Sequence, residues 1–164
     1  MTTKTVKDLF IHSLSDIYSA EKQMTKSLPQ MARAATNEEL SAAFMTHLEE
    51  TQGQIERIDQ LVEGAGIRLK RVKCVAMEGL VEEGREEIEE IERGPVLDTA
   101  LIAAAQKAEH YEIASYGSLI ALAKQLGEND AVRLLGETLK EEKATDEKLS
   151  LLAEQKLAAE ALGK

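Results

Sequence analysis

The sequence predicts an all-α fold: a four-helix bundle made of two helical hairpins, joined by one long crossover that carries a short extra helix. Three observations carry this prediction. Apolar residues recur three and four apart over long stretches, with no alternation of strand type. The composition is that of long helices: of 164 residues only 3% are aromatic and two are proline, while Ala, Leu, Glu and Lys abound. Helix-stop and helix-start signals fall at Thr36-Asn37, Gly64-Ala65-Gly66, Gly94-Pro95 and Gly127-Glu128. They mark out four long segments with one wide gap in the middle. The length suits one domain over residues 1–164.

The first helix begins near Thr5, which has Asp8 three residues on as its capping partner, and runs to about Ala35. Pro29 lies inside this pattern and is expected to kink or break the helix late. The second helix opens at Thr36-Asn37-Glu38-Glu39, a capping-box pattern, runs to about Glu63 and ends at Gly64-Ala65-Gly66. Residues 64–97 are too many for a simple turn. Met77, Leu80, Val81, Ile88 and Ile91 stand there at helical spacing and predict a short helix over 76–93, weakened by Gly79 and Gly84 at about 1 kcal/mol each. After the break at Gly94-Pro95 the third helix runs from about Leu97 to Leu126. Gly127-Glu128-Asn129-Asp130 is the next turn, with Asn129 or Asp130 as N-cap of a fourth helix reaching about Ala161. Two hairpins and a single crossover make the ferritin-like connectivity.

Each of the four long helices places a carboxylate on its apolar stripe. In the first, Phe10, Leu14, Ile17, Met24, Leu28 and Met31 keep the helical spacing and Glu21 fills the gap. In the fourth, Glu142 and Asp146 fill the gap between Leu135, Leu139 and Leu149, Leu152. In the third, Glu109 and Glu112 share the stripe of Ala105, Tyr116, Leu119 and Ala123. The second helix is the weakest case. Its stripe is taken as Leu40, Phe44, Leu48, Ile55, Ile58 and Val62; Glu50 lies at its edge beside His47 and Gln54, while Glu49 points away.

Burying a carboxylate costs free energy unless it is paired or bound to a metal. Several carboxylates in one apolar site repel each other and resist ionising. The acids sit near mid-helix, so antiparallel hairpins bring them to one level. Glu21, Glu50, Glu109, Glu112, Glu142 and Asp146 are therefore the candidate ligands of two metal ions. An oxygen-rich set suits iron first and manganese second, better than zinc. Chance competes with this reading, because the chain has 30 Asp and Glu residues and an acid at a stripe edge ordinarily reaches solvent. That ordinary explanation bears most on Glu50 and Glu109, and least on the central Glu21 and Glu142. His47 reads first as an edge-of-core histidine and second as a ligand. His12 and His110 read as surface residues; Tyr18, Tyr111 and Tyr116 as packing residues with hydrogen-bonded hydroxyls.

The net charge is −10 with pI near 4.9, and no basic stripe forms, so binding of nucleic acid is not expected. The short stretch Arg68, Lys70, Arg71, Lys73 reads as a solvated loop. The one cysteine, Cys74, has no partner for a disulfide, and the basic stretch beside it is expected to lower its pKa. There is no charged-then-apolar leader, and no run approaches the ~18 apolar residues of a membrane span. The expectation is a soluble cytoplasmic protein with no membrane partner. No nucleophile triad, P-loop or dinucleotide fingerprint is present.

Four segments carry a resemblance: 18–23 (YSAEKQ), 47–51 (HLEET), 104–117 (AAQKAEHYEIASYG) and 141–146 (EEKATD). They are similar to the bacterial YciE/YciF family of ferritin-like proteins associated with stress-induced operons, over essentially the whole chain from Val6 to Ala153. The resemblance implies a ferritin-like bundle, usually dimeric, with a dinuclear metal site. It supplies no reaction, since the family has no settled biochemical activity, and the electron donor stays unknown. Ala103, Ala104, Ala108 and Ser115 offer a small-residue surface where a second copy could approach in a homodimer.

A more distant likeness is to rubrerythrins. Glu21 matches their first-helix acid, Glu109 and Glu112 their third-helix pair, and Glu142 their fourth-helix acid. Their histidines do not carry over: Gly53 stands three after Glu50, Gln52 three after Glu49, and Thr145 three after Glu142. Gln54 and Asp146 instead follow four residues after Glu50 and Glu142, which keeps each pair on one face. That departure puts peroxidase or oxidase activity in doubt more than metal binding. Two functions compete, and a third, iron storage in a cage, ranks last because nothing in the sequence identifies a cage-forming surface. One is a dinuclear metal protein of the stress response with peroxide or Fe(II) redox activity. The other is a non-enzymatic structural or interaction protein whose site is static or vestigial.

Overall fold

The computed structural model describes residues 2–154 and 162–163. Five helices follow in order: α1 (Val6–Ala34), α2 (Glu38–Ala65), α3 (Val75–Glu90), α4 (Pro95–Gln125) and α5 (Asn129–Leu152). No strand occurs among the described residues. The expected continuation of the last helix to Ala161 falls on residues 155–161, outside the described ones.

Local chemistry explains most of the helix ends. Thr5 and Asp8 form the capping box at the start of α1: Asp8 N donates to Thr5 Oγ1 at 3.0 Å and Thr5 N to Asp8 Oδ2 at 3.1 Å. Asn37 caps α2 by accepting from Leu40 N at 3.0 Å, and Gly66 ends it at φ 63°, a left-handed position that suits glycine. Three expectations are corrected. Helix α1 runs unbroken through Pro29 to Ala34. An interior proline costs about 3 kcal/mol, but Leu28 and Met31 on either side are both core residues, each worth ~1.5–3 kcal/mol when buried. Helix α4 begins at Pro95, two residues before Leu97; a proline at the first helical position has no N–H to lose. Asn129 and Asp130 lie inside α5, and the preceding Glu128 makes no side-chain cap bond.

The four long helices form a ring in the order α1, α2, α5, α4, with α1 packed on α2 and α4, and α5 on α4 and α2. Contacts between Asp98 and Thr36 and between Tyr116 and Glu21 make α1 and α4 antiparallel. Contacts of Arg57 with Thr138 and Thr145 with Glu50 do the same for α2 and α5. The core is a column of Phe10, Leu14, Ile17, Leu28, Leu40, Phe44, Ile58, Leu101, Leu119 and Leu135. Helix α3 lies outside the ring over the seam between α1 and α4. Its buried Gly84 faces Ala104, 3.8 Å from where a Cβ would stand. Ala104 and Ala108 are thus packed against the chain's own α3, so the helix that approaches this small-residue surface belongs to the same chain.

The crossover is tied to α1 before α3 begins. Lys70 N donates to Ser15 Oγ at 2.9 Å, Cys74 N to Ser19 Oγ at 2.9 Å, and Gln23 Nε2 to the Cys74 carbonyl at 3.1 Å. At the other end of the bundle, Asp98 of α4 is fully buried and accepts from Thr36 N, Thr36 Oγ1 and Asn37 N at 2.7–2.9 Å. It satisfies orphan donors at the α2 N-terminus and locks the two hairpins together. No helix among the described residues is long and apolar enough to cross a membrane.

Candidate metal centre

Four of the expected acids converge at mid-bundle. Glu21 of α1, Glu109 and Glu112 of α4, and Glu142 of α5 are all buried, none more than 1% exposed. A histidine joins them: His47 of α2, 2% exposed. Their ligand atoms form two triads, His47–Glu109–Glu142 and Glu21–Glu112–Glu142, each with its atoms within 4.8 Å of one another. Glu142 belongs to both triads, so a single carboxylate stands between two sets of donors.

The remaining two candidates stand outside the triads. Glu50 is half-buried, and Thr145 Oγ1 donates to its Oε2 at 3.0 Å; Glu49 is exposed, as expected. Asp146 is half-buried and faces His110 Nε2 at 3.0 Å, with Gln106 Nε2 at 3.4 Å. His110 is exposed. Gln54, also on α2, is fully buried with neither amide atom hydrogen-bonded. Next to it, Arg57 forks onto Glu141 through Nη1 and Nη2 and reaches Thr138 Oγ1 at 3.2 Å, which fixes α2 against α5 beside the site.

The site is orphaned by ordinary hydrogen-bond standards. Glu21 Oε2, both oxygens of Glu109 and Glu142, Glu112 Oε1 and both His47 nitrogens are buried without a hydrogen-bond partner. His47 Nε2 lies against Glu109 Oε1, but not in hydrogen-bonding geometry. Buried polar atoms are ordinarily satisfied; these acids can meet that need by sharing protons, Glu142 standing beside both Glu109 and Glu112, or by giving their lone pairs to a cation. Burial pushes the carboxyls of Glu21, Glu112 and Glu142 well above the usual carboxylate range, and each also feels another acid of the group. Burial likewise raises Glu109, to about 8. Burial and mutual repulsion favour the neutral form of these acids, and positive charge would reverse that preference.

A hard, oxygen-rich set with one imidazole is chemically suited to hold a first-row metal cation at either triad. Tyr116 supports the set from behind. Its hydroxyl, kept protonated by burial, donates to Glu21 Oε1 at 2.8 Å. Tyr18 and Tyr111 also have bonded hydroxyls, to Asp59 at 3.0 Å and Asp16 at 2.6 Å. Cys74 departs from expectation: burial pushes its thiol up, and its Sγ has a neighbour in Tyr111 Oη at 3.1 Å.

Comparison with known proteins sets this geometry in a family. Residues 5–162 match the family model DUF892, described as a domain of unknown function. The chain belongs to the DUF892 family. Among its relatives, Protein YciF of Escherichia coli (strain K12) is 64% identical over 154 residues, 93% of each chain. The crystal structure of that protein, described as a stress protein, matches with a TM-score of 0.92 at 61% identity, covering 99% of this chain and 100% of that one. YcfI from Rhodopseudomonas palustris matches at a TM-score of 0.85 and 50% identity, over 90% of this chain and 94% of that one. A protein of Xanthomonas campestris pv. campestris at 23% identity and TM-score 0.72, covering 94% of this chain and 95% of that one, shows the fold alone. The all-helical bundle and the resemblance drawn from residues 18–23, 47–51, 104–117 and 141–146 are thus both supported.

Proposed function

We propose that this DUF892 protein is a dinuclear metal-binding protein of the stress response that holds two ions, iron first and manganese second, and uses them in redox chemistry on peroxide or Fe(II). The observation that carries this reading is the sharing of Glu142 by two buried triads, most of whose nitrogen and oxygen atoms make no geometric hydrogen bond. Glu109 and His47 would hold one ion and Glu21 and Glu112 the other. When bound, such a pair supplies the two electrons that reduction of a peroxide bond requires.

The chain's own residues set the conditions for that chemistry. Their acids give up protons as the ions bind, so loading releases protons and strengthens as pH rises. Tyr116 fixes the orientation of Glu21 through its hydroxyl. Ile17, Phe44, Leu119 and Leu135 belong to the same buried core, while a cavity lined by His47, Glu50 and Thr145 gives small molecules a path to the α2 side of the acids. Glu50 and Asp146 belong to the proposal as outer carboxylates, one turn from His47 and Glu142 respectively.

The test is metal analysis of untagged protein from its native host, followed by stopped-flow mixing of the Fe(II)-loaded form with O2 and with peroxide. Two ions per chain with rapid oxidation is the expected result. Two ions without oxidation favours a static centre in a structural or interaction protein. Near-zero metal with intact folding overturns the metal reading. We also infer a cytoplasmic homodimer. With Ala104 and Ala108 packed against α3, the dimer rests on the family resemblance, and sedimentation of a monomer at micromolar concentration refutes it.

A further inference from the structure

The chain carries a net charge of −10, yet one groove on its surface has a cationic wall. It runs between α1 and the 67–74 segment, has a volume of about 440 Å³, and is lined by Lys22 and Lys26 from α1 and by Lys70, Arg71 and Lys73 from the crossover. No acidic side chain lines it. Lys73 pairs with Glu78, outside the groove. Among the described residues, Lys22, Lys26, Lys70 and Arg71 have no carboxylate within ion-pair distance. The basic stretch of the crossover looks like an ordinary solvated loop in the sequence. Folding lays it against two lysines some 45 positions earlier, and the combination is a cationic groove.

The groove is preformed. The Ser15, Ser19 and Gln23 side chains hold the backbone of Lys70 and Cys74 against α1. Tyr18, fixed by its hydroxyl bond to Asp59, forms part of one wall, with Lys22 Nζ 4.6 Å from its ring centroid. Holding like charges together around a concave surface costs free energy that a bound anion relieves. The volume falls in the range of small-molecule sites, ~300–1,000 Å³, and lysine and arginine are the usual partners of phosphate oxygens.

We propose that this groove binds the di- or triphosphate group of a small organic polyphosphate of nucleotide size. The patch is confined to one groove on an otherwise acidic protein, so an extended polyanion such as duplex DNA meets repulsion beyond it, while a small molecule does not. The site lies on the outer side of α1 and is independent of the proposed metal centre.

The test is calorimetric titration of the full-length protein with ATP, inorganic tripolyphosphate and adenosine. The variants are Lys26→Glu/Arg71→Glu and the charge-preserving Lys26→Arg/Arg71→Lys, both positions being exposed enough to leave the melting curve unmoved. The expected result is one saturable site for ATP and for tripolyphosphate, weakened at least about tenfold by charge reversal and kept by the charge-preserving pair. Adenosine alone should not saturate. Retained affinity in the charge-reversal variant overturns the proposal. So does the absence of saturable binding at millimolar ATP, adenosine binding as tightly as ATP, or duplex DNA displacing ATP at equal phosphate concentration. Binding that persists in Glu142→Leu separates the groove from the metal centre; binding lost in that variant assigns the phosphate to the metals and overturns the groove.

Discussion

Tyr116 of α4 donates its hydroxyl to Glu21 Oε1 of α1 at 2.8 Å, with both side chains buried. This one bond ties opposite hairpins together at the level of the two triads. It satisfies one oxygen of Glu21 and leaves the other, Oε2, without a partner on the side of Glu112 and Glu142.

Replacing Tyr116 with Phe keeps the ring in the core and removes only that donor. A buried acceptor left unsatisfied costs about 1–3 kcal/mol. Urea unfolding of the metal-free Tyr116→Phe protein should show a loss in that range. Unchanged stability would mean that Glu21 finds another partner when the hydroxyl is gone.

The buried acids set a pH dependence whose sign is opposite to that of most carboxylates. Glu109 titrates near pH 8 in the folded chain against an ordinary value of 4.5, and Glu21, Glu112 and Glu142 are raised in the same direction. Between those values the folded state binds more protons than the unfolded one, so stability falls as pH rises. The contribution is whole below about pH 4.5 and is lost through about pH 8. Chelator-treated protein should therefore melt lower at pH 8 than at pH 5.5, with the difference shrinking or reversing once Fe(II) or Mn(II) is added. A metal-free melting temperature that climbs steadily from pH 5.5 to 8 would contradict the burial of these acids in protonated form.

The helices and three of the four acid-bearing stripes were legible because each stripe keeps its phase through the polar interruption. On α4, Ala105, Glu109, Glu112, Tyr116, Leu119 and Ala123 are buried as their spacing predicts. On α2 the phase was obscured. The buried positions are Leu40, Ala43, Phe44, His47, Thr51, Gln54, Ile58 and Leu61, so three consecutive inward positions are polar. The apolar Leu48, Ile55 and Val62 draw the stripe one residue aside, yet they are only half-buried. Following the three/four spacing through His47, regardless of residue type, would have found it. Asp98 was illegible for a different reason. Its partners Thr36 and Asn37 are some 60 positions away, and no local pattern marks a cap supplied by another helix. The basic groove shares that cause, since Lys22 and Arg71 meet only through the path of the crossover.

Asp98 offers a test of hairpin docking apart from the metal. Asp98→Ala strips three hydrogen bonds from the start of α2. Caps are worth about 0.5–2 kcal/mol and bonds to a charged group about 1.5–3 kcal/mol, so a loss of about 2–3 kcal/mol is expected. Glu109 lies about 16 Å further along α4 by helical rise, so the number of ions bound should not change. A variant that unfolds normally but loses metal would place Asp98 in the site's support.

Glu142→Leu is the decisive substitution, because Glu142 is the residue common to both triads. In the metal-free protein it removes a buried acid that burial and Glu109 hold well above the usual carboxylate range. Leucine fills a similar volume with apolar atoms and relieves the crowding of acids at one buried point; the comparable replacement of buried ion pairs is often neutral or stabilising by about 1–4 kcal/mol. The apo variant should therefore melt at or above the wild type. Metal acts the other way. A ligand that binds only the folded state stabilises it by an amount that grows with its concentration over Kd, about 2.7 kcal/mol at a hundredfold excess. Wild type should show that upward shift with Fe(II) or Mn(II), and Glu142→Leu should lose most of it. Four melting curves, two proteins each with and without metal, give both comparisons at once. An apo variant that melts far below wild type would show that the carboxylate is held by protein contacts, and equal metal-induced shifts in the two proteins would remove Glu142 from the ligand set.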